Sequence, residues 1–583
     1  MFEELSSEDP YLKALELAKR RGIFYQSSEI YGGAGGFIDY GPNGARLKAN
    51  LIDEWRRIFV NSLPDLVYEV ETPIIVPEAV LKASGHVDNF TDLVTQCSKC
   101  GRVYRVDHML EELGIDTSGK SAEELSSTLA SLDGCPVCGG KFSRAESHNL
   151  LFRTSIGPYS SLVGYLRPET AQGIFPMFRR IYEVTREKEV FGIAQVGRVG
   201  RNEISPRGGD IRLREFTQME LEFFFDPELR SSPLFARLAN ERLNLRRDSV
   251  NAQPVSMTGK AAVSSGLISN EWLAAAMIMG KQFLIRLGIP EESHYYLEVP
   301  ADKRAHYSKQ TWDLMARLAN DNWTEVAGLS YRGDFDLKAH AHASGVDLRA
   351  FKRLDTPIVK QEKRFKWDPV RIREKYGSMT GEVIKSLSEM SEDDILRAIS
   401  AGYFEISGQR IDTSMFSVED VSKTESGVHY YMHVAEGSFG ADRLMHVMLA
   451  HALTQRAGRA VLAIPRYLAN PQVGVLPLMK KDGLDLTAKD LVSELVRARL
   501  APTYDDEGAI GRRYARLDEV GVPVAVTVDY QTLEDSTVTL RDRDTWEQVR
   551  VRLSDLPVKL RQFIYEGAQL GELGERAASP AKD

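Results

Sequence analysis

The stretch that most constrains this chain runs from Gln195 to Phe225, QVGRVGRNEISPRGGDIRLREFTQMELEFFF. Two segments alternate as β-strands do, one ending near Glu203 and one from Ile211 to Phe225. Between them, Ser205-Pro206-Arg207-Gly208-Gly209-Asp210 has the composition of a hairpin loop. The pair carries Arg198, Arg201, Arg207, Arg212 and Arg214 with Glu203, Glu215, Glu220 and Glu222, yet it ends in Phe223-Phe224-Phe225. An apolar back and a crowded ionic front suit the floor of a site for a polyanion that carries a cationic group. A solvated, salt-bridged sheet face would use the same residue types.

The second constraint is cysteine. The chain has four, Cys97, Cys100, Cys135 and Cys138, in two C-x-x-C knuckles each followed by glycine. The pattern resembles the two halves of a zinc ribbon; a disulfide pair is the alternative, disfavoured in a reducing compartment. Four thiolates leave no open position for chemistry, so zinc here has a structural role. The intervening loop must carry a helix of its own, and Glu111 to Leu132 has the periodicity for one.

At 583 residues several domains are expected. A net charge of −9 excludes a uniformly basic protein but not a nucleic-acid partner, since local basic patches set phosphate affinity. MFEELSSEDP has neither the basic nor the apolar region of a signal peptide, and no apolar run is long enough to span a bilayer; the expectation is a cytoplasmic protein with no membrane contact.

Along the chain, Tyr11 to Arg21 and Ala45 to Val60 read as amphipathic helices, the second leading to a strand that ends at Thr72-Pro73 and suits a dimer interface. The glycine-rich run Tyr31 to Phe37 lacks the GK[ST] ending of a phosphate loop and reads as a tight loop. Helices are expected over Thr170 to Val184 and Glu271 to Leu287, and another opening at His306 to Trp312. Trp323 to Leu329 alternates as a strand that Tyr331 to Leu337 continues. Residues 344–424, charged and partly helical, read as an insertion. The strand ending at Gly440 runs into a helix opened by Arg443, where a guanidinium and free backbone N–H groups favour an anion. From Arg459 the pattern alternates strand and helix, beginning with Val461 to Ile464, and predicts a separate domain of mostly parallel sheet; the residues from about Gly571 read as a loose tail.

Together these pieces resemble class II aminoacyl-tRNA synthetases, and within them the single-subunit, homodimeric glycyl type, over nearly the whole chain. The first motif of that family matches Leu51 to Pro73 and the second Arg201-Asn202-Glu203 through Phe216; the third appears as Ser438-Phe439-Gly440-Ala441-Asp442-Arg443. RPETAQGIF, EVAG and YDDEGAIGRRYARLDEVGVP add glycyl-type character, and the class I signatures HIGH and KMSKS are absent. The resemblance implies an α+β class II catalytic domain, an antiparallel sheet flanked by helices, over 1–455. It carries a zinc-ribbon-like insertion at 97–140 and a further one at 344–424. An α/β anticodon-binding domain follows at 459–570, then a flexible tail at 571–583.

It also implies ATP-dependent ligation of glycine to tRNA(Gly) through a glycyl-adenylate, with Mg²⁺ and structural zinc. ATP would meet Arg201 at the α-phosphate, Glu203 at the adenine amino group and Phe216 under the ring. Arg212 and Arg443 would hold the outer phosphates, and Asn202, Leu213, Val326 and Gly440 would line the site. Glu325 and Glu436 fit the place where the class uses carboxylates around Mg²⁺ and the substrates. Glycine would meet Glu169, Glu220, Glu436 and Ser438, with Arg105 close by; Arg201 and Arg443 would be catalytic. Three positions depart from the family's pattern. Gly200 stands where phenylalanine is common, removing an apolar prop beside Arg201; Gly437 replaces a proline; Tyr331 occupies a position often aspartate. Two other readings are a non-catalytic synthetase paralogue, which the retained Arg201, Glu203, Arg443, Glu169 and Glu220 oppose, and a class II enzyme for another small amino acid, which RPETAQGIF and EVAG oppose.

Overall fold

Alternating apolar residues build the central sheet of the computed structural model, which describes residues 9–117, 119–159, 162–204, 211–229, 231–247, 253–318, 322–406 and 408–577. The expected loop Ser205 to Asp210 lies outside them. Nine strands form the sheet: β1 (Val67–Glu69), β2 (Val190–Gly200), β3 (Glu215–Phe225), β4 (Arg242–Arg246), β5 (Val255–Thr258), β6 (His294–Glu298), β7 (Gln310–Arg317), β8 (Trp323–Gly333) and β9 (His433–Gly440). Their spatial order is β5-β4-β6-β7-β8-β9-β3-β2-β1. All neighbours are antiparallel except β1 with β2 and β4 with β6.

Strand alternation divides β3 between two environments. Met219, Leu221, Phe223 and Phe225 point into the large core, where they meet Leu329, Ala435 and Phe439 of β8 and β9. Helices α1 (Pro10–Arg20), α2 (Pro42–Arg56), α3 (Glu271–Arg286) and α5 (Ala441–Ala452) cover that face with Leu17, Leu51, Trp55, Leu273, Phe283 and Leu444; the shorter helix α4 (Phe335–Ser344) follows β8. The other face of β3 carries Gln218, Glu220 and Glu222, all buried.

Several sequence expectations need correction. The helix over Thr170 to Val184 is broken into Ala171–Ile174 and Phe178–Val184 by a tight turn at Phe175–Met177, because Pro176 has no N–H to donate to a helix interior. His306 to Trp312 does not open a helix: Gln310 starts β7, and Trp312 pairs with Leu329 at full burial. Strand β8 stops at Gly333, whose φ is 65°, and Phe335 begins α4. Between the cysteine knuckles two short helices, Val106–Glu112 and Ala122–Ala130, replace the single one expected over Glu111 to Leu132, the chain turning through Gly114 at φ 77°.

Residues Arg349–Tyr430 form a unit of their own, later at both ends than the expected 344–424 because α4 runs on to Ser344. A ribbon of Ala350–Trp367 and Phe416–Tyr430 carries three helices and a hairpin, closed over Ile372, Val383, Leu387, Phe404 and Ile411.

The C-terminal sheet starts at Val473–Pro477, not at Val461. Arg459–Leu462 pairs with Leu453–Arg456, and Leu462, Ile464 and Leu468 belong to the large core, whereas Val473 and Val475 open a second one. Nor is that sheet mostly parallel. Val473–Pro477 lies parallel to Pro502–Tyr504 and Val524–Val528, but Thr537–Asp542 and Gln548–Arg552 add antiparallel, through connections too short for a parallel crossover, and Glu575–Arg576 adds antiparallel at the edge after the helix Leu556–Tyr565. The tail expected from Gly571 is packed to Arg576: Leu570 and Leu573 are buried in the second core and Glu575 pairs with Arg550.

Candidate active site

The buried face of β3 meets β9 residue for residue: Gln218 opposite Gly440, Glu220 opposite Ser438, Glu222 opposite Glu436. β9 in turn places Ser438 opposite Gly328 and Glu436 opposite Ser330 of β8. Alternation then puts Arg332 on the same face as Ser330 and Gly328.

Two clusters result. In the first, Glu220 has no exposed surface; one carboxylate oxygen accepts from Ser438 Oγ at 2.8 Å and the other from the Thr170 hydroxyl. Gln218 fixes both neighbours, donating from Nε2 to Ser438 Oγ at 3.0 Å and accepting from Thr170 N at 3.3 Å. Arg332, fully buried, is the cation of the group. Its guanidinium donates to both oxygens of Asp336 at 2.8 and 2.9 Å and to Glu436 at 3.1 Å, and stands 3.5 Å from Glu169. It stacks 3.7 Å from the Tyr307 ring. Glu169 also accepts from Gln172 at 3.0 Å and lies 3.6 Å from His86.

One guanidinium cannot neutralise five carboxylates, and the protons are distributed accordingly. Burial pushes Glu169 up, but His86 and Arg332 beside it outweigh that and hold it well below the usual carboxylate range. Burial pushes Glu436 up to about 8, with Glu220 and Glu169 adding to the rise against Arg332. Burial and Glu169 raise Glu220. Burial and Glu436 raise Glu222 well above the usual carboxylate range, and neither of its oxygens has a hydrogen-bond partner. The cluster is short of positive charge, which is what a small cationic ligand supplies.

The second cluster lies at the other end of β3 and is more open. Arg201 sits between two rings, 5.7 Å from Phe90 and 5.4 Å from Phe216, with Nε donating to Pro168 O at 3.0 Å. The prop that Gly200 removes is thereby replaced: Phe152 and Leu166 already fill its place, 3.1 and 3.3 Å from where a Cβ would stand. Gly437 leaves only ordinary contacts to Phe439 and Leu329, and Tyr331 bonds His433 Nδ1 at 2.5 Å. Asn202 and Glu203 follow Arg201 in a half-exposed turn, Asn202 N donating to Leu150 O at 2.7 Å. Arg212 has no ion-pair partner among the described residues, and Leu213 is buried beside it. Arg443, three residues past Gly440 at the head of α5, donates to Glu325 O at 2.8 Å and to its carboxylate at 3.2 Å; Val326 is buried beneath.

Arg105 is not brought to the other residues expected around glycine. It lies on the cysteine module, its guanidinium taken by Asp107 at 2.5 and 2.8 Å and by Asp92 at 3.4 Å, and the carboxylate of the active-site residues that it faces electrostatically is Glu203. In the same module all four cysteine sulfurs lie within 4.8 Å of one another, with Cys97 to Cys138 at 3.5 Å and Cys100 to Cys135 at 3.9 Å. The Tyr104 hydroxyl lies within hydrogen-bond distance of the Cys135 sulfur, at 3.1 Å.

Sequence reasoning missed Arg332, Asp336, His86, Tyr307 and Asp313, and gave Glu222, named on the ionic front of the hairpin, no role. Asp313, pushed up to about 8 by burial and by Glu325, is the second carboxylate at the open end. Its signal was present: in QTWDLMAR it alternates away from buried Trp312 and Leu314. Arg332 was visible likewise, a charge that alternation sets on the face of Gly328 and Ser330, at the opposite end of the strand from Glu325.

Comparison with known proteins adds two findings. Residues 472–563 match the family model described as an anticodon binding domain. Within that segment Arg541 pairs with Asp518 through two 2.9 Å bonds and Arg513 donates to Gly508 O and Pro477 O, both buried, whereas Arg512 is exposed. The whole chain is similar to the glycine–tRNA ligase of Aeropyrum pernix, 47% identical over 579 residues that cover 97% of this chain and 99% of the relative. It is also similar to those of Methanothermobacter thermautotrophicus, 41% identical over 559 residues (94% and 98%), and Thermococcus kodakarensis, 41% over 567 residues (96% and 99%).

Proposed function

The chain belongs to the glycine–tRNA ligase family, enzymes that join glycine to tRNA(Gly) with ATP and release AMP and diphosphate for protein synthesis, and from that premise we propose how its two clusters divide the work. The buried cluster takes glycine and the open cluster takes ATP, on a class II catalytic sheet. The observation that carries this reading is Glu220: a carboxylate with no exposed surface, held by Thr170 and Ser438 in a cluster short of positive charge. Glycine offers only an ammonium group and two Cα hydrogens. Glu220, Glu169 and Glu436 supply the negative charge for the first. The crowding of Thr170, Ser438 and Gln218 excludes a methyl group, at about 1–3 kcal/mol of overpacking.

Adenylation asks little covalent help, because the carboxylate of glycine is already an ionised nucleophile. Catalysis is placement and charge neutralisation of its in-line attack on the α-phosphorus. Arg201, braced by two rings and a carbonyl, holds the α-phosphate; Phe216 stacks under adenine, Glu203 accepts from its amino group, and Arg212 and Arg443 take the outer phosphates. Bound with ATP, Mg²⁺ supplies further neutralisation of the phosphates, and Glu325 with Asp313 are the carboxylates that would hold it there. The 3′-hydroxyl of the tRNA then attacks the adenylate and AMP leaves, while the anticodon-binding domain reads the distal end of the tRNA.

The cysteine cluster fits zinc. Tetrahedral Zn–S bonds of ~2.3 Å put sulfurs ~3.8 Å apart, close to the two spacings above. Purified protein is expected to hold about one zinc per chain; a metal-free, stable and fully active protein would refute the site. No helix among the described residues is long and apolar enough to cross a membrane; we place the enzyme in the cytoplasm, and as the homodimer that the resemblance implies. ATP–pyrophosphate exchange tests the whole reading. Exchange with serine or proline and none with glycine sinks the glycyl assignment; none with any amino acid favours a non-catalytic paralogue.

A further inference from the structure

The glycine-rich run Tyr31 to Phe37 has so far been given no part in the reaction. It turns through Gly32, Gly33 and Gly36, at φ 92°, 80° and 79°, a path that other residues take only under strain. At Gly33 a Cβ would also lie 2.2 Å from the Gln26 amide. The carbonyls this path exposes converge on one side chain. Arg214 donates its backbone N–H to Gly36 O at 2.7 Å and Nη1 to Gly35 O at 2.7 Å. Its Nε donates to Glu203 O at 2.8 Å and its Nη2 to Ile204 O at 3.2 Å. Arg214 therefore does not belong with the arginines that await phosphate: each of its guanidinium nitrogens is spent on a backbone oxygen. Its own carbonyl accepts from Arg201 N at 2.8 Å.

The chain then fastens a second time. Tyr40 Oη and Lys48 Nζ each donate to Asp442 Oδ1 at 2.7 Å, and Asp442 Oδ2 accepts from Thr217 N at 2.6 Å. Asp442 is buried and precedes Arg443; Thr217 follows Phe216. One continuous stretch, Gly35 to Lys48, thus bonds Arg214, which in turn holds the backbone of Arg201 and Glu203, and Asp442, which precedes Arg443 and holds Thr217 N, and it hydrogen-bonds none of Glu169, Glu220 or Glu436.

We propose that the glycine-rich segment and Arg214 form a positioning brace for the nucleotide end of the site, setting the mutual geometry of Arg201, Phe216 and Arg443 without contacting substrate. The inference rests on the assignment of that end to ATP. Lysine cannot reproduce a planar fork that reaches three carbonyls, so Arg214→Lys keeps the charge and loses the brace. It is expected to raise the ATP KM by about tenfold or more, with the glycine KM within about twofold and the melting temperature little changed. Tyr40→Phe removes one hydroxyl at the second fastening and shifts the ATP KM in the same direction by less, which keeps the test available if Arg214→Lys fails to fold. Equal rises in both KM values, or none in folded variants, overturn the brace. If the wild type shows no glycine-dependent exchange, the functional reading fails instead. The brace is then judged from calorimetric ATP binding to wild type and Arg214→Lys, where equal affinities refute it.

Discussion

Strand β3 carries opposite electrostatic designs at its two ends. Around Glu220 the charged groups are sealed from solvent: the Arg332 side chain is 0% exposed, and Glu169 and Glu436 are each 7%. Around Phe216 they are left wet, Arg443 at 27% and Glu325 at 46%. The difference follows from what each end lacks. The sealed end already holds one buried cation against several carboxylates, and what it lacks is a single positive charge small enough to enter a dry cavity. On the proposed division the open end receives a polyanion for which the chain has no substitute, and its arginines keep their hydration until that ligand arrives. Burying them unpaired would cost several kcal/mol each.

The comparison breaks if truncating a cation costs the same at both ends. Arg332→Met leaves Asp336, Glu169 and Glu436 buried without their counter-charge and is expected to cost about 3–5 kcal/mol of stability. Arg443→Met removes a partly exposed pair and is expected to cost under about 1 kcal/mol. Urea unfolding monitored in the catalytic core gives both numbers, and similar losses would show that Arg332 is less isolated than its burial indicates.

Substrate affinities sharpen the division. Glu220→Gln preserves shape and removes the charge that faces the ammonium. The expected result is a glycine KM raised about 100-fold with the ATP KM within about threefold, the scale of one hydrogen-bonded charge in a dry site. Comparable rises for both substrates would mean that the two ends are coupled through β3.

A smaller effect is expected from pH. With Glu436 pushed up to about 8 by burial, the empty pocket keeps its proton at neutrality and accepts an ammonium poorly. As pH rises through that value the carboxylate forms, so the glycine KM should fall by up to about tenfold, and then level while the ATP KM stays flat. The sign for stability is opposite. Between the ordinary carboxylate range and about 8 the folded state holds a proton that the unfolded chain has released, so this group's contribution to stability declines as pH increases. Glu436→Gln should flatten the glycine profile; a profile unchanged by that variant would assign the titration elsewhere.

How far the sequence foretold this division differs between the ends. The open end was legible because its residues lie close together in the chain: Arg201, Glu203, Arg212 and Phe216 sit on one hairpin, and Arg443 follows its strand directly. The sealed end depends on pairings between β3, β8 and β9, which bring Glu220, Arg332 and Glu436 together from far apart in sequence. Alternation says which face a residue takes but not which distant strand will lie beside it. Arg332 was therefore passed over for its neighbour Tyr331, whose departure from the family pattern proves to be a contact with His433. The fold erred for similar reasons. Strand and helix positions in the C-terminal domain were readable, while its antiparallel half depended on connection lengths, and the break at Pro176 was hidden by strong flanking periodicity.

Glu222 gives the finest test, because it sits where the sealed end meets the aromatic packing around Phe224. Its carboxyl is buried, lacks any hydrogen-bond partner and lies opposite Glu436, so burial and that neighbour favour its neutral form. A buried group with unmet hydrogen bonds costs about 1–3 kcal/mol, and replacing it by an apolar side chain of similar volume removes that cost. Glu222→Met is therefore expected to gain about 1 kcal/mol in unfolding free energy, with the glycine KM unchanged, because Glu222 favours its neutral form and, unlike Glu220, bonds neither Thr170 nor Ser438. A gain in stability accompanied by a weaker glycine KM would show that Glu222 ionises when glycine enters. The recognition surface would then extend one alternation deeper along β3 than the contacts to Thr170 and Ser438 define it.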